Sequence, residues 1–187
     1  MILYKNVDIC DLDSITTSGV LSIDECQNHN WREGMRANNA TNVVYLFQPT
    51  GAQNSFTQYG AALLEVDAEA TENEMLPGDH NRGKYREFVT RRIEPSEITR
   101  IFIPGMFRER VNIPASVLAK TCWCDVHAEL FAGIDGNGKS LYRAASAAEL
   151  AQLLEAAKIE SSQETNFFRG LNGSGEIVDL YNICYKF

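Results

Sequence analysis

The chain has 187 residues, 44% hydrophobic and 22% charged, which excludes a wholly disordered or low-complexity protein. Its net charge of −8 argues against an extended, nonspecific contact with nucleic acid, because such contacts need a phosphate-neutralising surface. No apolar run approaches the roughly 20 residues of a membrane helix, so we expect no membrane span. The length suits one hydrophobic core, and we predict a single domain over residues 1–187.

Cysteine content bears on the compartment. The chain contains five cysteines, an odd number without the spacing of small secreted proteins, which indicates reduced thiols. Residues 1–10 lack a basic segment followed by a long apolar stretch, so we expect no secretory signal. We predict a cytoplasmic protein, either in the producing cell or in a cell to which it is delivered.

The first part of the chain predicts strands separated by polar loops. Residues 1–7 predict a strand, and Ile9, Leu12 and Ile15 have the spacing of a helix that ends at Gly19. Further strands are predicted over residues 43–47, 61–67, 85–90 and 98–103, with polar loops over 24–42 and 68–83 and a short helix over 55–59.

The rest of the chain is less regular. A helix is predicted after Pro114, and Ser146 is predicted to cap a second helix from Ala147 to Lys158. Strands are predicted over residues 122–131, 141–143 and 177–187. Strands dominate without regular β-α-β alternation, which favours the α+β class over a doubly wound sheet.

Cysteine and histidine are densest at Cys122, Cys124 and His127. A structural zinc site needs four ligands, and no fourth is evident, so we predict no metal and two buried thiols. A Cys–His nucleophile pair, using either cysteine with the histidine, would make a cysteine hydrolase. This alternative meets a geometric difficulty, since residues 124 and 127 of one strand point to opposite faces.

Charge is unevenly distributed along the chain. Residues 82–110 contain eight basic and four acidic residues, a net charge of +4 against −12 for the rest of the chain. Such a distribution can steer an anionic ligand or an acidic partner. A solvated charged surface would produce the same pattern.

Several short segments occur in an informative order. Leu3-Tyr4-Lys5 precedes the helix that ends at Gly19, and the segments that follow are Val44-Tyr45-Leu46, Tyr59-Gly60 with Leu63–Asp67, and Glu87-Phe88-Val89 with Ile93-x-Pro95-x-x-Ile98. In this order they resemble the ADP-ribosyltransferase-like family over residues 3–103. The resemblance implies an α+β core built on a split, mostly antiparallel sheet with short helices, which holds NAD in a cleft and which residues 104–187 complete or extend.

The resemblance implies a mono-ADP-ribosyltransferase that uses NAD to modify a macromolecule, of the kind found among bacterial toxins and effectors. The acidic balance favours a protein as the target. Glu87 matches the catalytic glutamate, because a carboxylate bonded to the ribose stabilises the positive charge that develops when the nicotinamide leaves. Tyr59 and Tyr45 would stack on the base, and Lys5 or Arg143 would meet the pyrophosphate.

Some positions depart from the family pattern and leave alternatives open. Lys5 stands where the family has histidine or arginine, and lysine lacks the planar fork that arginine offers a phosphate. Arg143, in a second Leu-Tyr-Arg segment, is the obvious substitute. Glu72 and Glu74 match the Glu-x-Glu of arginine-specific members and are alternative catalytic acids. A decayed NAD site would instead leave a module that binds a partner protein.

Overall fold

The computed structural model describes residues 1–7, 9–26, 40–49, 53–56, 62–79, 82–83, 85–109, 113–124, 126–138, 140–144, 146, 148, 158–159, 168–171 and 177–186. Over these residues the protein is a mixed α and β structure, dominated by open, mostly antiparallel sheet with few short helices. The α+β class and the mostly antiparallel sheet predicted from the sequence are confirmed at this level.

The larger sheet has seven strands. They are β1 (Ile2–Val7), β2 (Val44–Pro49), β4 (Ala62–Asp67), β5 (Thr71–Asn73), β6 (Tyr85–Thr90), β7 (Ile98–Pro104) and β8 (Thr121–Cys124). Their order is β5-β6-β2-β1-β4-β7-β8. Neighbouring strands are antiparallel except β7 and β8, which run parallel.

A second sheet contains β3 (Gln53–Phe56) and most of the strands from the end of the chain. These are β9 (Val126–Ile134), β10 (Ser140–Ala144), β11 (Lys158–Ile159), β12 (Phe168–Leu171) and β13 (Ile177–Lys186). The order is β10-β9-β13-β12-β11, and β3 also pairs with β13. The long β13 therefore joins segments that are far apart in the sequence.

The described helices are short. They are α1 (Leu12–Ser18), α2 (Ile23–Cys26) and α3 (Ala115–Leu118), with 3-10 turns at Ile9–Asp11 and Gly105–Phe107. Gly19 ends α1 as predicted, with a φ of 81° and its N–H donating to the Ile15 carbonyl over 2.8 Å. No described helix has the length and apolar character required to span a bilayer.

One face of the seven-stranded sheet is mostly apolar. Directly opposite residues share a face, because side chains of a strand alternate sides. The pairing of β1 with β4 thus places Leu3, Val7, Leu64 and Val66 together on what we call the core face. These side chains are at most 6% exposed, and they belong to one cluster with Leu12 and Ile15 of α1 and Val117 of α3.

Most predicted strands are confirmed to within two residues, namely those over residues 1–7, 43–47, 61–67, 85–90, 98–103 and 141–143. The closing strand is confirmed as β13.

Three predictions are corrected. Residues 55 and 56 are not helical but belong to β3, because pairing with β13 overrides the weak local signal. The predicted loop over 68–83 contains β5, too short and polar for a periodicity to reveal. Residues 122–131 form not one strand but parts of two, β8 and β9, in different sheets.

The predicted helix from Ala147 to Lys158 lies largely outside the described residues. Its last residue, Lys158, belongs to β11, where it lies opposite Arg169.

Candidate functional site

A row of directly opposite residues crosses six strands of the larger sheet. Its members, in strand order, are Asn73, Glu87, Phe47, Tyr4, Glu65 and Arg100. All six lie on one face, opposite the core face, and we call it the site face. The row therefore combines two carboxylates, two aromatic rings, an amide and a guanidinium within one continuous register.

Glu87 is buried at one end of this row. Glu87 is only 6% exposed, and the Asn73 amide donates a hydrogen bond of 2.8 Å to its Oε1. Two rings lie on the same face beside it, because Phe47 is directly opposite and Tyr85 is two residues earlier on the strand. The centroids of those rings are 5.4 Å apart. Glu87 is thus a carboxylate held by an amide against an aromatic surface.

The other end of the row is an ion pair. Glu65 is 5% exposed, and Arg100 donates to it through Nε over 2.8 Å and through Nη2 over 2.6 Å. Thr99 Oγ1 donates to the same carboxylate over 2.8 Å. The hydrogen bonds from Arg100 lower the pKa of Glu65 despite its burial. The Arg100 side chain itself is 55% exposed, so the row runs from a buried carboxylate to an accessible cation.

Tyr4 joins the two halves of the row. Its hydroxyl lies 3.4 Å from Glu65 Oε2, and its ring centroid is 6.0 Å from that of Phe47. Burial, and then the charge of Glu65, raise the pKa of Tyr4. The phenol therefore stays protonated and donates to the carboxylate near neutral pH.

The Glu65–Arg100 pair makes stability depend on pH. The pKa of Glu65 is lowered on folding. The pair therefore contributes its full stabilisation of the folded state above the unfolded carboxyl pKa of about 4.3, and this stabilisation is lost as the pH falls through the folded pKa. We expect Glu65→Gln to lower the free energy of unfolding by about 1–2 kcal/mol at neutral pH. The loss is limited because the Arg100 side chain is accessible to solvent. Urea unfolding at pH 7 and pH 3 tests this. A wild-type advantage that did not shrink at the lower pH would contradict it.

The predicted site residues fall on different surfaces. Tyr45 lies on the site face, two residues from Phe47 and opposite Val89, and its hydroxyl accepts a hydrogen bond of 2.9 Å from the Ala40 N–H. Lys5 lies opposite Leu64 and on the core face. The register thus brings Tyr45 to the face of Glu87 but does not bring Lys5 there.

The two remaining cofactor-binding predictions lie elsewhere. Tyr59 lies outside the described residues. Arg143 is an exposed residue of β10 and so belongs to the second sheet, not to the sheet that carries Glu87. Its Nη1 donates a hydrogen bond of 3.4 Å to the carbonyl of the adjacent Ala144.

The alternative acids do not lie beside Glu87. Glu72 is opposite Phe88, on the other side of the sheet, and it accepts two hydrogen bonds from Arg86, one of 2.9 Å from Nε. These bonds lower the pKa of Glu72. Glu74 is exposed. Of the candidate acids, Glu87 alone is buried and shares a face with Tyr45.

The cysteine cluster is divided between two strands. Cys122 and Cys124 are half-buried residues of β8. They share a face of that strand, and the Cys124 thiol lies 3.4 Å from the Cys122 carbonyl. His127 belongs to β9, and its side chain lies outside what the structure describes. Among the described residues, no group of three histidine, cysteine, aspartate or glutamate side chains could hold a metal ion.

Several basic residues between positions 82 and 110 are in ion pairs. Arg86 pairs with Glu72, Arg92 with Glu94 and Arg100 with Glu65. The net positive charge of this segment is therefore partly neutralised where it arises.

Sequence reasoning missed Arg100 as a site residue. The signal that could have found it is Glu65 within the apolar run Ala62–Val66, because a charge in a buried strand requires a partner.

A groove opens next to the Glu87 end of the row. Its volume is about 980 Å³, and its lining includes Thr71 and Val89, two residues along their strands from Asn73 and Glu87. Glu69 and Arg91 line it as well. The groove lies beyond the ends of these strands, and its lining includes no member of the row.

Protein-family profiles, curated proteins and solved structures yield no match to this chain.

Proposed function

We propose that the protein is an ADP-ribosyltransferase-like enzyme that cleaves the nicotinamide–ribose bond of NAD and transfers ADP-ribose to a protein. The observation that carries the proposal is the burial of Glu87, fixed by Asn73, on the face that also presents Tyr45 and a row of aromatic rings. A carboxylate beside aromatic rings suits a ligand that joins a flat base to a sugar.

Glu87 has a defined part in this reaction. Its carboxylate accepts a hydrogen bond from a ribose hydroxyl and stabilises the positive charge that builds on the sugar. The bond between the ribose carbon and the ring nitrogen breaks, and nicotinamide leaves as a neutral molecule with the electron pair. The acceptor group of the target protein then bonds to that carbon and loses a proton. Charge and atoms balance without a further reactant.

In this proposal Arg100 replaces Lys5 as the group that meets the pyrophosphate. It lies on the face of Glu87, four strand spacings or about 19 Å away along the row. Its bonds to Glu65 use Nε and Nη2, and within the described residues Nη1 makes no hydrogen bond. An exposed guanidinium held in a fixed orientation is suited to a phosphate.

The placement of the motif segments supports the family proposal. Leu3-Tyr4-Lys5 lies on β1, Val44-Tyr45-Leu46 on β2, Leu63–Asp67 on β4 and Glu87-Phe88-Val89 on β6. These four strands are consecutive in the sheet, in the order β6-β2-β1-β4. Segments that the resemblance groups together therefore build one continuous surface.

Arg100→Lys tests the role of the guanidinium. We expect NAD to bind about tenfold more weakly, because lysine keeps the charge but loses the fork. Arg86→Lys is the matched control. Arg86 also pairs with a glutamate and stacks over a phenylalanine at 5.3 Å, as Arg100 does over Phe102, but it lies on the other face. Calorimetric titration of both variants with NAD measures the effect. Equal NAD affinities of the two variants would show that Arg100 does not bind the pyrophosphate.

The transfer itself is tested with NAD labelled in the ADP-ribose portion. Purified protein incubated with this NAD and a cell lysate should place the label on a protein. Unchanged NAD and unlabelled proteins would contradict the proposal. Absence of any calorimetric signal with NAD, together with a stable protein partner recovered from the lysate, would identify a binding module instead.

A further inference from the structure

The second sheet brings a cysteine and a histidine into one register. Cys184 of β13 lies directly opposite His127 of β9 on one side and Ser55 of β3 on the other. These residues therefore form a row across three neighbouring strands and share one face of the sheet. The sequence suggested only Cys122 or Cys124 as a partner for His127, and both belong to β8 in the other sheet. The pairing of β13 with β9 supplies a different cysteine.

A glutamate lies on the same face. Glu129 follows His127 by two residues on β9, so the two residues share a face. Ala144 of β10 is directly opposite Glu129. Because Ala144 is exposed, solvent reaches the sheet at this position. The face therefore carries cysteine, histidine and glutamate at neighbouring positions.

The spacing of the backbone suits a thiol and its base. Directly opposite residues of an antiparallel pair have Cβ atoms about 4.5–5.5 Å apart, a separation that a hydrogen bond between a thiol and an imidazole can span. A histidine beside a cysteine favours the thiolate, which is the nucleophilic form. A carboxylate near the histidine can fix the tautomer of its ring. Nucleophile, base and orienting acid are the three parts of a catalytic triad.

We propose that Cys184 is the nucleophile of a second site, one that transfers acyl groups, with His127 as its general base and Glu129 as a positioning residue. His127 takes the proton of the thiol as the sulfur bonds to the carbonyl carbon of an activated ester or thioester. The bond from that carbon to the leaving oxygen or sulfur breaks, and the leaving group takes the proton from His127. Water then bonds to the same carbon, the thiol re-forms and a carboxylic acid leaves. Atoms and charge balance, and the inference does not depend on NAD cleavage.

Alkylation by iodoacetamide at neutral pH, followed peptide by peptide with mass spectrometry, tests the thiol. Cys26 is exposed and serves as the internal reference for an accessible cysteine. We expect Cys184 to react about tenfold faster than Cys26, because an activated thiolate reacts faster than an ordinary thiol. His127→Asn should bring Cys184 to the rate of Cys26 or below. If Cys184 of the wild type reacts no faster than Cys26, the inference is overturned, whether or not the variant folds.

The positioning role of Glu129 has its own readout. Glu129→Gln should slow the alkylation of Cys184 severalfold without changing the midpoint of thermal unfolding, and Glu129→Asp should restore the rate. Alkylation that is equally fast in Glu129→Gln would show that the glutamate does not act on His127.

Acyl transfer is tested with para-nitrophenyl acetate. The wild type should release para-nitrophenol continuously and carry an acetyl group on Cys184 during the reaction. Cys184→Ser should lose this release. Cys124→Ser makes the same change on β8, is the matched control and should keep the wild-type rate. Release that is lost in Cys124→Ser and kept in Cys184→Ser would overturn the inference, and so would fast alkylation of Cys184 in a protein that never becomes acetylated there.

Discussion

Replacing Glu87 by glutamine should reduce NAD cleavage by about 10²–10³-fold, the usual cost of removing one group that stabilises transition-state charge. Glutamine keeps the shape of the side chain and can still bond to Asn73, so we expect the fold to persist. What it lacks is the negative charge that faces the developing positive charge on the ribose. Initial rates of NAD cleavage, with a circular dichroism spectrum of each variant, measure the effect.

Glu72→Gln is the matched control for that variant. It makes the same chemical change on the neighbouring strand, but on the opposite side of the sheet. We expect it to retain wild-type rates. If Glu72→Gln were inactive and Glu87→Gln fully active, the Glu-x-Glu alternative would be correct and the site face would not be the catalytic surface.

Replacing Gly19 by alanine should destabilise the protein by about 3 kcal/mol. Its φ of 81° is unfavourable for other residues, and an added Cβ would lie 2.1 Å from the Ile93 carbonyl oxygen. Relieving that clash requires opening the bridge in which Val20 and Ile93 exchange two hydrogen bonds, each 2.9 Å long. The estimate combines about 1–2 kcal/mol for the backbone conformation with the loss of those bonds. Chemical denaturation measures it.

Gly78→Ala distinguishes the clash from the backbone strain. Gly78 has a similar φ of 90°, but an added Cβ there would meet nothing within 4 Å. We expect a loss of only about 1 kcal/mol, from the conformation alone. Equal losses of unfolding free energy in the two variants would show that the clash with Ile93 adds nothing to the destabilisation.

Sequence patterns predicted the strands that bury one or both faces. Residues 61–67 are a nearly continuous apolar run and residues 98–103 are rich in isoleucine and phenylalanine, and the structure has strands there. Gly19 marked a helix end because few other residues adopt its backbone conformation. The edge strand β5 and the segment Gln53–Phe56 were missed, since each becomes a strand through a partner rather than through its own apolar pattern.

The composition of the site face was less accessible to sequence reasoning. Alternation along β1 requires Tyr4 and Lys5 to point to opposite sides, which the sequence alone already implies. Which side carries Glu87 depends on the registers of β1 with β2 and of β2 with β6. A shift of one residue in either would exchange the faces. Arg100 was overlooked for the same reason, because its link to Glu65 arises from the pairing of β4 with β7.

The most direct test of the central claim is the release of free nicotinamide from NAD by the purified protein, followed by chromatography in the presence of a cell lysate that supplies acceptors. We predict release that is proportional to time and to protein concentration, and that is lost in Glu87→Gln. NAD that stays intact with wild-type protein, or nicotinamide release that is the same with Glu87→Gln, would contradict the account.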